Sequence, residues 1–212
     1  MEQKELHIME QIIDLEKSPV LAEGPRTTEE LERDWEYKNG TWKVEDGWIC
    51  GKHTGNSGGI LYSKKQFPGN VLLEFEGRTV PPCDNDLNFT WRAAGWDDAK
   101  DDAGISYIAG LGGWWENKTG IEHYPECTCR SVTSLMPLEA GKTYFIQAGD
   151  IDGHCFIFVD GKLVIEMFDP NPITAFGKVG LGTYASWIQV RNFKIRRIAS
   201  RPNALEYTPE FE

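Results

Sequence analysis

The 212-residue sequence predicts an all-β fold, a two-sheet antiparallel jelly-roll sandwich. Three observations predict it. Aromatic residues make up 12% of the chain, with eight Trp, and 22 residues are Gly, a composition that suits strands joined by tight turns. From Trp35 onward, short alternating apolar runs are broken by Asp-Gly, Pro-Gly and similar turn signals. Those runs number roughly a dozen, which fits two packed sheets better than a small barrel.

Residues 5–17 read as a short strand or helix, and TTEELERDW at 27–35 as a capped helical turn. TWKVEDGWICGK is a hairpin turning at Asp46-Gly47, and ILYSKKQF runs into a turn at Pro68-Gly69-Asn70. VLLEFEGRT alternates, with Val71, Leu73 and Phe75 toward the core and Glu74, Glu76 and Arg78 on a solvated outer face. DLNFTWRA repeats the pattern: Leu87, Phe89 and Trp91 point inward, while Asn88, Thr90 and Arg92 share the opposite face. GWDDAKDDAG at 95–104 is a charged loop, followed by strands in ISYIAGLGG and GIEHY. TYFIQAGDIDGHCFIFVDGKLVIEMF gives three strands, the last pair turning at Asp160-Gly161. KVGLGTYASWIQVRNFKIRRI supplies two more, and a phase shift between Val190 and Phe193 predicts a bulge. Residues 1–34 are expected to pack on a sandwich spanning 35–199, with 200–212 as a tail.

Charge narrows the function. A formal net charge of −11 and a pI of about 4.9 offer no basic footprint for nucleic acid. Strongly anionic polymers are disfavoured in the same way unless a local Arg or Lys answers them. MEQKELHIMEQIIDLEKSP lacks a basic segment followed by a long apolar core, and no apolar run is long enough to span a membrane. Five cysteines (50, 83, 127, 129 and 155) fit a reducing compartment. The chain is therefore expected to be cytoplasmic, and the N-x-T triplets at Asn39, Asn88 and Asn117 to be chance.

GLGGWWENKTGIEHYPECTCR, residues 110–130, concentrates aromatic and ionisable side chains. Pyranose rings stack on Trp or Tyr, and their hydroxyls need fixed polar partners. Asn88, Thr90, Trp114, Trp115, Lys118 and Tyr124 are the candidate sugar-binding residues, and alternation places one of the two adjacent tryptophans outward. Glu122, Tyr124 and Glu126 would share one face. The extended span from Glu122 to Glu126 is about 13 Å, against roughly 5–5.5 Å between the carboxyls of a retaining glycosidase. His123 is the candidate general base, with Glu126 or Tyr124 as acid and Arg92 to neutralise a uronate. Hydrolase, lyase and pure binding readings all stay open, with His123, Glu126, Glu122 and Arg92 as the catalytic candidates.

Metal is not needed by these readings. His123, Cys127, Cys129 and Cys83 make an incomplete zinc pattern. Calcium would draw on Asp84, Asn85 and Asp86, or on the Asp97–Asp102 loop. Thr54–Gly59 is glycine-rich without the ending of a phosphate loop, and reads as a hairpin loop at the edge of a groove.

TWKVEDGWICG, VLLEFEGR, NFTWR and the closing HCFIFVDGKLVIEMF and GKVGLGTYASWIQVRNFKIRRI together resemble the concanavalin A-like lectin/glucanase superfamily, which includes galectin-like folds. Within it the chain is similar to the YesU-like family of small intracellular bacterial proteins, and more distantly to the 3-keto-disaccharide hydrolases. Asp86-Leu87-Asn88 stands where the latter carry Asn-Ser-Gly. The resemblance implies a carbohydrate-active protein that binds, and in the enzyme reading cleaves, a plant-polysaccharide-derived oligosaccharide. The alternative is a non-catalytic lectin-like module. The expected partner is an oligosaccharide, not nucleic acid or membrane, with a homodimer left open.

Overall fold

The computed structural model describes residues 3–204, with only the backbone at 56 and 57. The strands of its N-terminal half are β1 (Glu5–His7), β2 (Gln11–Asp14), β3 (Val20–Glu23), β4 (Trp35–Lys38), β5 (Thr41–Glu45), β6 (Trp48–Ser63), β7 (Val71–Thr79) and β8 (Leu87–Ala93). Then come β9 (Trp96–Asp97), β10 (Asp102–Ala103), β11 (Ser106–Trp114), β12 (Lys118–Tyr124) and β13 (Arg130–Thr133). The chain continues through β14 (Tyr144–Ile151), β15 (His154–Val159), β16 (Lys162–Phe168), β17 (Lys178–Arg197) and β18 (Ser200–Pro202). One helix, α1 (Thr28–Asp34), is capped by Thr27, whose hydroxyl accepts from Glu30 N at 3.2 Å. No helix among the described residues is long and apolar enough to cross a membrane.

Two long strands organise everything else. The first half of β17 pairs with β8 and with the end of β6; its second half pairs with β7, with the start of β6 and with β3. β17 and β6 therefore pass from one sheet into the other. The first sheet runs β13-β12-β11-β8-β17-β6-β4 and the second β16-β15-β14-β7-β17-β6-β5, all antiparallel. The result is an all-β, nearly closed jelly-roll sandwich, the predicted class. β17 changes direction at bulges, one at Ala185 (φ 48°) and one at Asn192 (φ 55°). The second lies where the sequence shifts phase.

The predicted turns at Asp46-Gly47 and Asp160-Gly161 have both residues in the left-handed region, which Asp tolerates and Gly favours. Between the sheets runs an aromatic ladder. Phe75 meets Phe89 at 5.3 Å, Phe89 meets Trp91 at 6.4 Å and Trp91 meets Tyr107 at 5.7 Å, all fully buried. On the outer face of the second sheet, Leu72, Phe156 and Phe158 are covered by Leu6 and Ile13 from the small β1-β2-β18 sheet and by Ile8 from its β1-β2 turn. That N-terminal cover explains why two faces of this sheet are apolar. Of the predicted tail, 200–202 form β18, and 205–212 lie outside the described residues.

Three local expectations need correction. Thr54–Gly59 is not a hairpin loop but the interior of β6, because β17 pairs on both sides of it. The 95–104 segment is not a bare loop; β9 and β10 form a small hairpin folded over the first sheet. Glu74 is buried rather than solvated, held by Gln147 Nε2 at 2.9 Å and by Arg196, whereas Glu76 pairs with Arg191 nearer the surface.

Candidate functional site

The outer face of the first sheet carries a groove of about 450 Å³. Its floor comes from β8 and β11, through Asn88, Thr90 and Ile108, with Gly182 of β17 and Gly59 of β6 leaving it low on one side. Trp114, Glu122 and Tyr124 form one wall, the β9-β10 hairpin with Trp96, Asp101 and Asp102 another, and Tyr184 the remaining rim. Period-two alternation puts these strand residues outward while their neighbours Phe89, Tyr107 and Ile121 enter the core.

Asp86 and Asn88 sit deepest. Asp86 is 3% exposed with a left-handed φ of 66°, and its Oδ2 has no hydrogen-bond partner among the described residues. Asn88 Oδ1 is likewise buried and unpartnered. β11 is bare above them: a Cβ on Gly113 would lie 2.5 Å from Asp86 Oδ1 and 2.8 Å from Asn88 Oδ1. Burial pushes Asp86 up to about 7, although the Asn88 side chain and the Tyr184 backbone pull it the other way. Both unpartnered atoms are closed to solvent, whereas Asp86 Oδ1 stands beside exposed Gly113 on the groove side.

Other groove groups have partners. Thr90 donates its hydroxyl to Tyr107 O at 2.7 Å. Glu122 Oε2 accepts from Arg130 Nε at 2.8 Å and from Trp114 Nε1 at 3.3 Å, which fixes the indole plane along the wall. Gly120 makes room for that ring, since a Cβ there would touch it at 2.7 Å. Tyr124 donates to Asp102; burial first, and then that carboxylate, push the phenol up, so it remains a donor at neutral pH.

Of the residues singled out in the sequence, Asn88, Thr90, Trp114, Glu122 and Tyr124 come together at the groove. Five others do not line it. Arg92 has φ 51° at a bulge where three steps of β8 oppose two of β17, so alternation breaks and its side chain enters the interior against Asp150. It therefore does not share a face with Asn88 and Thr90. His123 alternates to the core side of β12, where Nδ1 lies 2.7 Å from Asp169 Oδ2, beside the Tyr107 ring. β12 ends at Tyr124, so Glu126 is exposed in the following turn and shares no face with Glu122. Trp115 is 59% exposed outside the groove, with Lys118 and Arg130 near its ring. Lys118 pairs with Glu116 at 2.8 Å.

The missed lining residues are Trp96, Asp101, Asp102 and Tyr184, together with Asp86 as a groove group rather than a metal candidate. The signal available was a Trp and a dense acidic run in a connection between two strands of the same sheet. Among the described residues no three His, Cys, Asp or Glu side chains converge as a metal site. The zinc pattern is dispersed: Cys83 Sγ accepts from Trp187 N at 3.4 Å, whereas Cys129 Sγ donates to Phe168 O at 3.3 Å. In the acidic loop, Asp98 pairs with Lys38 and Asp97 accepts from Ala99 N.

The fold is that of the concanavalin A-like β-sandwiches found in lectins and carbohydrate-binding modules. Carbohydrate-binding module CBM66 from Bacillus subtilis matches with a TM-score of 0.62 and 17% identity, over 77% of this chain and 95% of its own. A Bacillus subtilis protein of unknown function with a galectin-like fold gives 0.69 and 13%, over 86% and 97%. The legume lectin-like domain from Entamoeba histolytica gives 0.57 and 9%, over 81% and 93%. At these identities the likeness establishes the fold alone. No family model matches the chain, and no curated protein matches it.

Proposed function

We propose that this chain is a lectin-like carbohydrate-binding protein that holds an oligosaccharide in the groove of its first sheet. The observation that carries the proposal is a groove walled by Trp114, Tyr124 and Tyr184 and lined by the polar side chains of Asp86, Asn88 and Glu122. A sugar supplies hydroxyls to such polar side chains and an apolar ring face to such aromatics. The carbohydrate-binding module and lectin domains among the structural neighbours support the same reading.

Binding is favoured over turnover by the placement of the ionisable groups. The His123–Asp169 pair faces the core, Arg92 is held inside, Glu126 stands in an exposed turn, and Glu122 is engaged by Arg130. The similarity to the YesU-like family belongs to this proposal, as does a cytoplasmic location, which five unpaired cysteines support.

Calorimetric titration of the full chain with a panel of neutral, amino and acidic oligosaccharides tests it, with product analysis by mass spectrometry. Tyr184 is half exposed at the rim, so Tyr184→Ala should fold and weaken binding about ten-fold through loss of stacking. The proposal fails if no saccharide binds, and release of products would make the protein an enzyme instead.

A further inference from the structure

The groove's charge speaks to the kind of sugar it takes. Four carboxylates line it, from Asp86, Asp101, Asp102 and Glu122, against one basic side chain, Lys100, which lies 3.7 Å from Asp97 at the surface. Glu122 is answered by Arg130 from outside the groove. Asp86 is not answered: it is almost wholly buried, and among the described residues no Lys, Arg or His pairs with it. A carboxylate in that position is costly unless a cation and hydrogen-bond donors reach it. Its Oδ2 and Asn88 Oδ1 are closed to solvent without a partner, while Oδ1 stands on the groove side beside exposed Gly113, where a cation meets the carboxylate.

We propose that the ligand is a cationic amino sugar, a glucosamine-type residue whose free ammonium pairs with the Asp86 carboxylate through Oδ1, beside Gly113. This rests on the saccharide-binding reading and sharpens it. An ammonium carries three donors and a full positive charge, so it holds the Asp86 carboxyl ionised and neutralises it. Trp114 and Tyr184 on the surrounding walls give the pyranose ring its apolar contact. The bare β11 backbone at Gly113 leaves the space in which the amine approaches. A uronate would bring its negative charge into this acidic lining, which turns the expectation away from the uronate that Arg92 was expected to neutralise. An N-acetylated sugar would place an amide N–H with one donor, and an added acyl group, where the ammonium fits.

The test is titration of the full chain, followed by calorimetry and Trp fluorescence, with a fully deacetylated glucosamine oligomer. The N-acetylated oligomer of equal length, a neutral gluco-oligosaccharide, an oligogalacturonate and spermidine are titrated alongside. The deacetylated oligomer should bind at least about ten-fold tighter than its acetylated or neutral counterparts, as expected when a charged hydrogen bond is lost. Its affinity should fall as salt is raised, and oligogalacturonate should not bind. Asp86→Asn should bring the amino sugar down to the level of the neutral one. The comparison among ligands holds without the variant. Equal affinity for neutral and amino sugars would overturn the inference and leave the saccharide-binding reading standing. Binding of spermidine as tightly as the amino sugar, or of no sugar at all, would overturn both.

Discussion

Arg92 Nε and Nη2 donate to the two carboxylate oxygens of Asp150 at 2.9 Å each, an ion pair sealed between β8 of the first sheet and β14 of the second. Nη2 also reaches Asn70 Oδ1 at 2.8 Å, and Gly153 N donates to Asp150 Oδ2, so both charged groups are hydrogen-bonded. Removing one member strands the other without solvent. Arg92→Met should therefore cost about 3–5 kcal/mol, read from urea unfolding, while a folded sample still binds sugar. Arg92→Met with Asp150→Leu should recover most of that loss. A single variant as stable as the parent would show that the pair does not clamp the sheets.

Asp86 should make the protein less stable as pH rises. Its folded value, near 7, lies above the unfolded value of 3.8, so between them the folded state holds a proton that the unfolded state has released. Stability then falls from about pH 4 toward pH 7 by up to about 4 kcal/mol from this group. Asp86→Asn should flatten that slope and be the more stable protein at pH 8. Equal slopes in urea titrations at pH 5, 7 and 8 would contradict the burial argument.

Gly113→Ala adds one methyl group where Asp86 Oδ1 and Asn88 Oδ1 already stand at 2.5 and 2.8 Å. Gly113 is exposed and has no left-handed φ, so the backbone accepts Ala. Saccharide affinity should drop at least about ten-fold, and unfolding stability should fall by about 1–3 kcal/mol as the buried Asp86 side chain and Asn88 Oδ1 are displaced. Trp115→Ala, outside the groove, is the control and should leave affinity for a short sugar where it was. A larger loss in the control than in Gly113→Ala would move the site to the Trp115 face.

Asp169 holds the far edge of the sandwich together. Burial pushes its carboxyl up, but Asn171 N, the Tyr107 hydroxyl and His123 outweigh that and hold it below the ordinary value. A depressed carboxylate stabilises above its unfolded pKa and loses that contribution as pH falls through the folded one. Asp169→Asn should cost about 1–3 kcal/mol at pH 7 and progressively less toward pH 3, with sugar binding intact. A loss of binding at pH 7 in a folded variant would tie His123 to the groove after all.

Legibility in the sequence followed locality. Val71, Leu73 and Phe75, and Leu87, Phe89 and Trp91, were readable because alternation is set by the strand itself, and all six are buried. Asn88, Thr90, Glu122 and Tyr124 fell on the groove face by the same rule. Arg92 and Glu126 broke it, one through a bulge with a left-handed φ and the other because β12 had ended. The bulge has no signature within the strand's own period, whereas Pro125, directly after Tyr124, marks the end of β12 in the sequence. His123 obeyed alternation, but only pairing with Tyr107 shows that its side of β12 is the core.

The sequence by itself determined the class of fold, the turns at Asp46-Gly47 and Asp160-Gly161, the Asn192 bulge and the aromatic core, because each depends on neighbours a few residues away. Only the tertiary structure decided the site. Asp86 and Tyr184 are 98 positions apart in number, and Trp96 and Asp102 reach the groove through a hairpin folded back over the sheet. Whether an Asp is solvated or buried beside an open acceptor depends on what packs around it. That is fixed by the pairing of β8, β11, β17 and β6, and no local pattern carries it.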